Sequence, residues 1–419
     1  MKKVITYTLK ILGWIFLGVV TLLILAALLI QTPFAKRKIA SIAENQAGSF
    51  IHGQLSLGEI DGNFFTHLSL KDLLITQETD TLAYIKEIST SYNLLPLIDG
   101  KLQILNLKLL EPRVFLEQLN DSTWNVQQLI KTSDSEPTTD TTSSDFAVNL
   151  DRFQLENGSI QIDSPDTLIP REINRIELQL SGAYQTDKQE LNLNEFSFTT
   201  REPNISLEKL TFSLRRNKEA MTLNDFVLKT AKNQFQGEAD YAETPSRKGN
   251  ANFESAPIKL SEFEFVLPDF QFPATPVFTL QASLRHDSVR ALVEIEDKNQ
   301  RISIDLVSEN LYDFILNPEK AELKYSVNGQ LENINLAYLL NNPELKSIIN
   351  GKLTAKGEGT DPATAKVKVK GNFQGLKVQD YSVDQISMNF DLERGNLSGF
   401  AKGKGDFGEF EIQPNIQQL

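Results

Sequence analysis

The sequence predicts a mainly β protein with one amino-terminal transmembrane helix and a few short helices. Three observations carry this expectation. Beyond residue 51, apolar and polar residues alternate with period two, the mark of strands with one apolar and one wet face. Phe is abundant, at 25, against 2 Trp and 3 Met, a balance that suits sheet packing better than a helical bundle. Twenty consecutive uncharged residues, Ile11 to Ile30, read ILGWIFLGVVTLLILAALLI. As a helix such a run spans about 30 Å, the thickness of a bilayer's hydrocarbon core.

That run opens the chain, flanked by Lys2, Lys3 and Lys10 before it and by Lys36, Arg37 and Lys38 after it. Its membrane-facing candidates are Ile11, Trp14, Phe16, Leu22, Leu25 and Ile30. A cleaved secretory signal begins the same way, but signal cores are about 7 to 15 residues long and end at small residues. Here Ala26 and Ala27 continue into Leu28, Leu29, Ile30 and Gln31, so residues 1–35 are expected to stay as a single-pass anchor. The flanking basic residues nearly balance and do not orient it. A tail this short holds no domain, which favours a cytoplasmic amino terminus.

Residues 36–131 form the next module. AKRKIASIAENQAGSF sets Ile39, Ile42 and Ala43 at helical spacing with Gly48 as a stop, predicting a short amphipathic helix near the membrane surface. From Ile51 the period changes to two: Leu55 and Leu57, then Leu68 and Leu70, alternate, punctuated by Gly53, Gly58, Asp61 and Gly62. In KLQILNLKLL the apolar phase slips between Ile104 and Leu105, which predicts a β-bulge, and Pro112 marks a strand edge or a break. Trp124, Val126, Leu129 and Ile130 read as a short helix capped by Ser122 or Thr123. Residues 132–145 then include SDSEPTTDTTSSD, with no apolar residue to offset its ordering entropy, and are expected to be a flexible acidic Ser/Thr linker and domain boundary. No EF-hand spacing turns its acids into a calcium loop.

Residues 146–419 are predicted to be a long repetitive sheet. Ile176, Leu178 and Leu180; Phe278, Leu280, Ala282 and Leu284; Ala291, Val293 and Ile295; Ile302, Ile304 and Leu306; and Ile386, Met388, Phe390 and Leu392 all keep period two. One interruption, NLAYLLNNPELKSIING, reads as a helix, a turn at Pro343 and a second helical turn ending at Gly351. Degenerate segments GQLSL, GKLQIL, GSIQI, GQLENINL and GKLTAKG each open with Gly and run into a strand, as in a sheet built by adding hairpins.

Composition excludes several function classes. A net charge of −13 makes a nucleic-acid footprint untenable, and it leaves only apolar contact for any lipid. With no cysteine there is no disulfide, thiolate metal site or cysteine nucleophile. His52, His67 and His286 lie far apart, without zinc-binding spacing, and read as surface or strand-edge residues. Gly403, Gly405 and Gly408 match G-x-G-x-x-G, yet EFEIQ follows as a strand where a dinucleotide site needs a helix. Asp163 and Asp166 flank Pro165 as turn residues rather than as an acid and base pair. No enzyme and no cofactor are expected.

The order of these pieces resembles a known family. The run GSFIHGQLSL at 48–57, Ile60-Asp61-Gly62 before Leu68, Leu70 and Leu73, then Leu95-Pro96-Leu97, Gly100-Lys101-Leu102, Glu111-Pro112-Arg113-Val114 and Trp124-Asn125 with Leu129 resemble TamB-like proteins of the AsmA-like superfamily. The likeness is specific over residues 1–131 and architectural beyond. It implies an elongated, twisted β-sheet trough, the β-taco, anchored in the inner membrane of a Gram-negative bacterium with its bulk in the periplasm. It also implies carriage of phospholipids toward the outer membrane, in support of its biogenesis, and a TamA-like outer-membrane barrel protein as partner. TamB-like chains are longer and end in a partner-binding region that nothing here resembles, and EIQPNIQQL breaks off after a strand as a truncated chain would.

On this expectation the lipid groove is lined by Ile176, Leu178, Leu180, Phe278, Leu280, Leu284, Ile302, Ile304, Leu306, Ile386, Met388 and Phe390. The same residues would equally line the dry core of a sandwich. A second functional reading is a scaffold that helps outer-membrane strands assemble by adding them to a sheet edge.

Overall fold

The computed structural model describes residues 28–78, 80–120, 123–129, 131, 146–243, 246–265, 273–317, 322–361, 363–378, 381–406 and 408–416. Five anchor candidates, Ile11, Trp14, Phe16, Leu22 and Leu25, and residues 132–145 lie outside this set. Among the described residues no helix is long and apolar enough to cross a membrane. The chain forms two compact units, Met1–Thr186 with Asn194–Asn204, and Asp187–Leu193 with Ile205–Leu419.

The first unit begins with helix α1 (Pro33–Phe50). Thr32 caps it, accepting the Ala35 N–H at 3.3 Å, and Pro33 supplies a first-turn φ without wasting a donor. The helix does not stop at Gly48: the Ile51 N–H still reaches the Ala47 carbonyl at 3.0 Å. Strands β1 (Gln54–Ser56) and β2 (Glu59–Asn63) both pair with β3 (His67–Gln77), which pairs with β4 (Asp80–Asn93) and through it with β5 (Lys101–Asn120). After the two-residue strand β6 (Thr123–Trp124), β7 (Ala147–Asp163) lies parallel to β5, and β8 (Glu172–Gln185) returns antiparallel. Strand β9 (Lys188–Arg201) contributes residues to both units.

The parallel pair explains why residues 121–146 are so long. Parallel neighbours need a crossover of a dozen or more residues, whereas a hairpin needs two. The acidic stretch links, in chain order, two strands that pair within the first unit, and the two compact units divide in β9.

The bulge expected near Ile104 is present, with Ser91 opposite Asn106 and Tyr92 opposite Ile104, leaving Leu105 as the extra residue. Pro112 is neither an edge nor a break. It is buried inside β5, opposite Ile85, directly after Glu111 at φ 49°, where the backbone turns left-handed without a change of register to β4. Asp72, Asn157 and Arg175 have the same left-handed backbone at the matching level of β3, β7 and β8. Trp124 is likewise a strand residue, paired with Gln118. A 3-10 turn over Asn125–Gln128 replaces the expected helix; Ser122 lies outside the described residues, Thr123 belongs to β6, and Trp124 holds the cap position, its N–H donating to Gln127 at 2.9 Å.

The second unit is a meander. Strands β10 (Ser206–Asn217), β11 (Ala220–Thr230), β12 (Gln234–Ala242), β13 (Lys248–Ser255), β14 (Val277–Arg285), β15 (Ser288–Asp297) and β16 (Gln300–Ser308) pair antiparallel in order. The same order continues through β17 (Lys324–Ile334), β18 (Ile349–Glu358), β19 (Lys366–Val378), β20 (Tyr381–Glu393) and β21 (Asn396–Gly405). Two short strands, β22 (Gly408–Ile412) and β23 (Asn415–Ile416), both lie on β21. Tight hairpins set the register, as at Arg394 (φ 48°) and Gly395 (φ 78°), which hold the two left-handed positions of a type I′ turn.

The helical interruption is shorter than its sequence suggests. Leu336–Leu339 form one helical turn and Pro343–Leu345 a 3-10 turn, but Ile349 and Gly351 already belong to β18. Gly351 faces Leu331 on one side and Phe373 on the other. Gly158 and Gly329 likewise sit inside β7 and β17 rather than ahead of them.

Candidate functional site

Residues directly opposite one another in a sheet share a face, so the registers decide where the alternating apolar residues go. In the first unit they line up as Ile60, Leu70, Ile88, Leu109, Leu155 and Leu178 across β2, β3, β4, β5, β7 and β8. Beside that row run Leu107, Phe153 and Leu180, while Ile176 faces Gly158. In the second unit Leu280, Val293, Ile304, Gly329, Leu353, Gly371 and Met388 form one row from β14 to β20. Phe278, Ile295, Ile302, Leu331, Gly351, Phe373 and Ile386 form the next. Leu306 shares a row with Phe390, and Leu284 starts another with Val289. All nine groove candidates of this unit therefore lie on one face, and the three of the first unit lie on one face there.

None of these twelve side chains is closed off; every one is half-buried. Buried apolar residues are few among the described ones: Leu82 and Pro112 in the first unit, and Leu193, Leu207, Ala274, Ile334, Ala365 and Val383 in the second. A sandwich would have buried the middles of the rows, because a second sheet would stand about 10 Å above them. Each face instead stays open.

Glycines shape the floor of the second face. Gly237 lies between Phe226 and Phe253, whose rings meet above it edge to face with centroids 5.7 Å apart. Phe373 covers Gly351 and Phe410 covers Gly403 in the same way, each ring occupying the space a Cβ would need. This pairing was not legible in the sequence, since ring and glycine belong to different strands.

The opposite faces are charged. Arg290 donates to Asp305 from Nε at 2.9 Å and Nη2 at 2.7 Å, which holds the Asp305 carboxyl below the usual carboxylate range. In the first unit Lys86 reaches Glu111 at 2.5 Å and lowers it likewise, and Lys108 reaches Glu156 at 2.7 Å. Exposed pairs of this kind contribute about 0 to 1 kcal/mol each, so their main effect is to keep this face in water.

One strand end of the second unit is covered, which the period-two reading missed. Segments 256–265, 273–276 and 335–348 fold over it, and two of them meet where the Tyr338 hydroxyl donates to the Pro273 carbonyl at 3.2 Å. Buried polar side chains pin them. Asn233 accepts the Lys259 N–H at 2.6 Å and donates to its carbonyl at 3.3 Å, Gln300 accepts the Asn335 N–H at 2.8 Å, and Ser347 accepts the Leu336 N–H at 2.9 Å. Beneath them Leu260, Pro276, Ile295, Ile302, Leu339 and Leu340 line an apolar hollow of about 290 Å³. Asn233→Ala removes the acceptor of the part-buried Lys259 N–H, at a cost of about 1 kcal/mol. Amides 256–263 are then expected to exchange faster with solvent while those of β14 to β16 keep their protection; equal exchange in both forms would remove Asn233 as the pin.

No group of three potential metal ligands occurs among the described residues. Gly405 faces Gly408 across the β21–β22 hairpin, with strand on both sides. Asp166 accepts the Leu168 N–H at 2.9 Å as a turn residue. Of the anchor candidates, Ile30 alone is described; it ends a short exposed helical stretch, Leu28 to Ile30, ahead of α1.

No curated protein and no solved structure matches the chain. A family does match over a span that closely follows the first unit. That family is the AsmA family, whose model matches residues 5–184.

Proposed function

We propose that the chain is a membrane-anchored, TamB-like protein whose apolar faces carry phospholipid acyl chains between the inner and outer membranes. AsmA family proteins are bacterial cell-envelope proteins, generally non-enzymatic, and the family is consistent with outer-membrane biogenesis and lipid transport. The observation that carries the reading is the uncovered row from Leu280 to Met388. Half-buried apolar residues in unbroken rows offer an acyl chain a continuous partner, and each methylene removed from water contributes about 0.8 kcal/mol. Headgroups stay on the open side. In this reading residues 11–30 are the single-pass anchor, the bulk of the chain is periplasmic, the sheet is an elongated twisted trough, and a TamA-like barrel receives it at the outer membrane.

The test is a photoreactive side chain at Leu178, Ile304 or Met388, compared with Ser303 on the charged face, in protein extracted with native lipid. Phospholipid adducts are expected at the first three and not at Ser303. Equal adducts at all four, or adducts only to unfolded barrel precursor, would replace lipid carriage with strand assembly as the function.

A further inference from the structure

One end of the first unit carries an apolar rim that the rest of the described chain leaves exposed. The β2–β3 turn presents Phe65, 44% exposed; the β4–β5 connection presents Leu95 and Ile98, 75% and 85% exposed; and β8 ends in Tyr184, 53% exposed. The registers put them at the same strand end, since Asn63 faces His67, His67 faces Ser91, Lys101 faces Ala147, and Val148 faces Tyr184. The loops are held together there. The Tyr92 hydroxyl donates to the Phe64 carbonyl at 2.7 Å, and the Ala147 N–H donates to the Gly100 carbonyl at 3.0 Å. The opposite end of this unit has another character: Asp80, Glu117, Asp163, Arg171, Glu172 and Arg201 surround a hollow of about 490 Å³.

The chain itself says what covers the rim. Gln31 donates to Asn63 at 3.2 Å and accepts the Phe64 N–H at 3.4 Å, while Lys36 donates to the Gly62 carbonyl at 2.7 Å. Leu28 and Leu29, 61% and 65% exposed, therefore sit at this same end, and the uncharged apolar residues from Ile11 lead directly into them. A bilayer that holds residues 11–30 has its surface at the rim.

We infer that Phe65, Leu95 and Ile98 dock on, and reach into, the bilayer surface beside the anchor; the inference rests on the anchor reading of residues 11–30. The contact is apolar in kind, because Phe65, Leu95 and Ile98 carry no charge and stand exposed at the rim. Apolar tips of this sort bury themselves at the boundary of headgroups and acyl chains. Tyr92, Ile104 and Leu150 stand opposite one another near this rim, at the start of the unit's apolar face. An acyl chain leaving the membrane would meet them without first crossing water.

The chain has no cysteine, so single cysteines can carry nitroxide labels without a background. Full-length protein in phosphatidylethanolamine–phosphatidylglycerol vesicles is labelled at Phe65→Cys, Leu95→Cys or Ile98→Cys, with Leu168→Cys at the charged end and Leu22→Cys in the apolar run as references. Collision with oxygen, which concentrates in lipid, is compared with collision with a water-soluble nickel chelate. The expected result is at least a fivefold higher oxygen-to-nickel ratio at the three rim labels than at Leu168→Cys. A lipid reading at Leu22→Cys with aqueous rim labels would overturn the docking surface and leave the anchor standing; aqueous readings at both would overturn both. Lipid readings at the rim with an aqueous Leu22→Cys would support the surface and remove the anchor. Rim labels shielded from both probes would mark a protein contact, a second copy or another chain, and would overturn the inference too.

Discussion

Aspartates at Leu280, Ile304 and Phe390 are expected to abolish lipid carriage by the second unit while the protein stays in the membrane fraction. Leu280 and Ile304 flank Val293 in one row, and Phe390 lies in the neighbouring row with Leu306. An acyl chain along these rows would touch a carboxylate at each replaced position. Losing contact for three or four methylenes at one site costs roughly 3 kcal/mol, about a hundredfold in occupancy. The fold should survive, because the replaced side chains are half-exposed and a carboxylate there can still reach water. Adduct yield from a photoreactive group at Met388, and transfer of labelled phospholipid between vesicles, provide the measurement. Unchanged adduct yield in the triple variant would show that lipid does not use this face.

The second large effect concerns glycine, with opposite signs at two positions. Gly399 in β21 has φ 147° and faces Phe390, and a Cβ there would come within 2.8 Å of the Phe390 Cα and closer still to the Asn389 carbonyl oxygen. Backbone cannot move aside as a ring can, so Gly399→Ala should destabilise the second unit by about 3 kcal/mol. Gly48 in α1 has nothing within 4 Å of its would-be Cβ. Gly48→Ala should therefore stabilise the helix by about 0.5 to 1 kcal/mol. Denaturant unfolding followed by hydrogen exchange in each unit separates the two; a neutral Gly399→Ala would mean that β20 and β21 are not held at this spacing.

Much of this was legible in residue order. The slip at Ile104 and Leu105 announced a bulge because period two leaves no room for an extra residue without a change of face. The turn role of Asp166 and the strand after Gly408 were also readable, each depending on neighbours a few positions away. Pro112 was misread for an equally local reason. Its missing N–H argues for an edge unless the backbone departs from the regular strand beside it, and the left-handed Glu111 that marks this departure leaves no trace in the residue type.

The candidate site divides in the same way. Alternation by itself determined that Leu178, Leu280, Ile304 and Met388 would stand on the apolar sides of their strands, because side-chain direction follows from backbone period alone. Whether those sides would close into a core or remain open depended on what packs against them, which no local pattern encodes. Only the tertiary structure decided that β5 and β7 pair in parallel across residues 121–146, and that Phe373 and Phe410 lie over Gly351 and Gly403. It also decided that the covers pinned by Asn233, Gln300 and Ser347 close one strand end while the rows beyond stay half-exposed. Each of these depends on a contact between residues distant in the chain, and such contacts are selected by the energy of the whole sheet rather than by any segment of it.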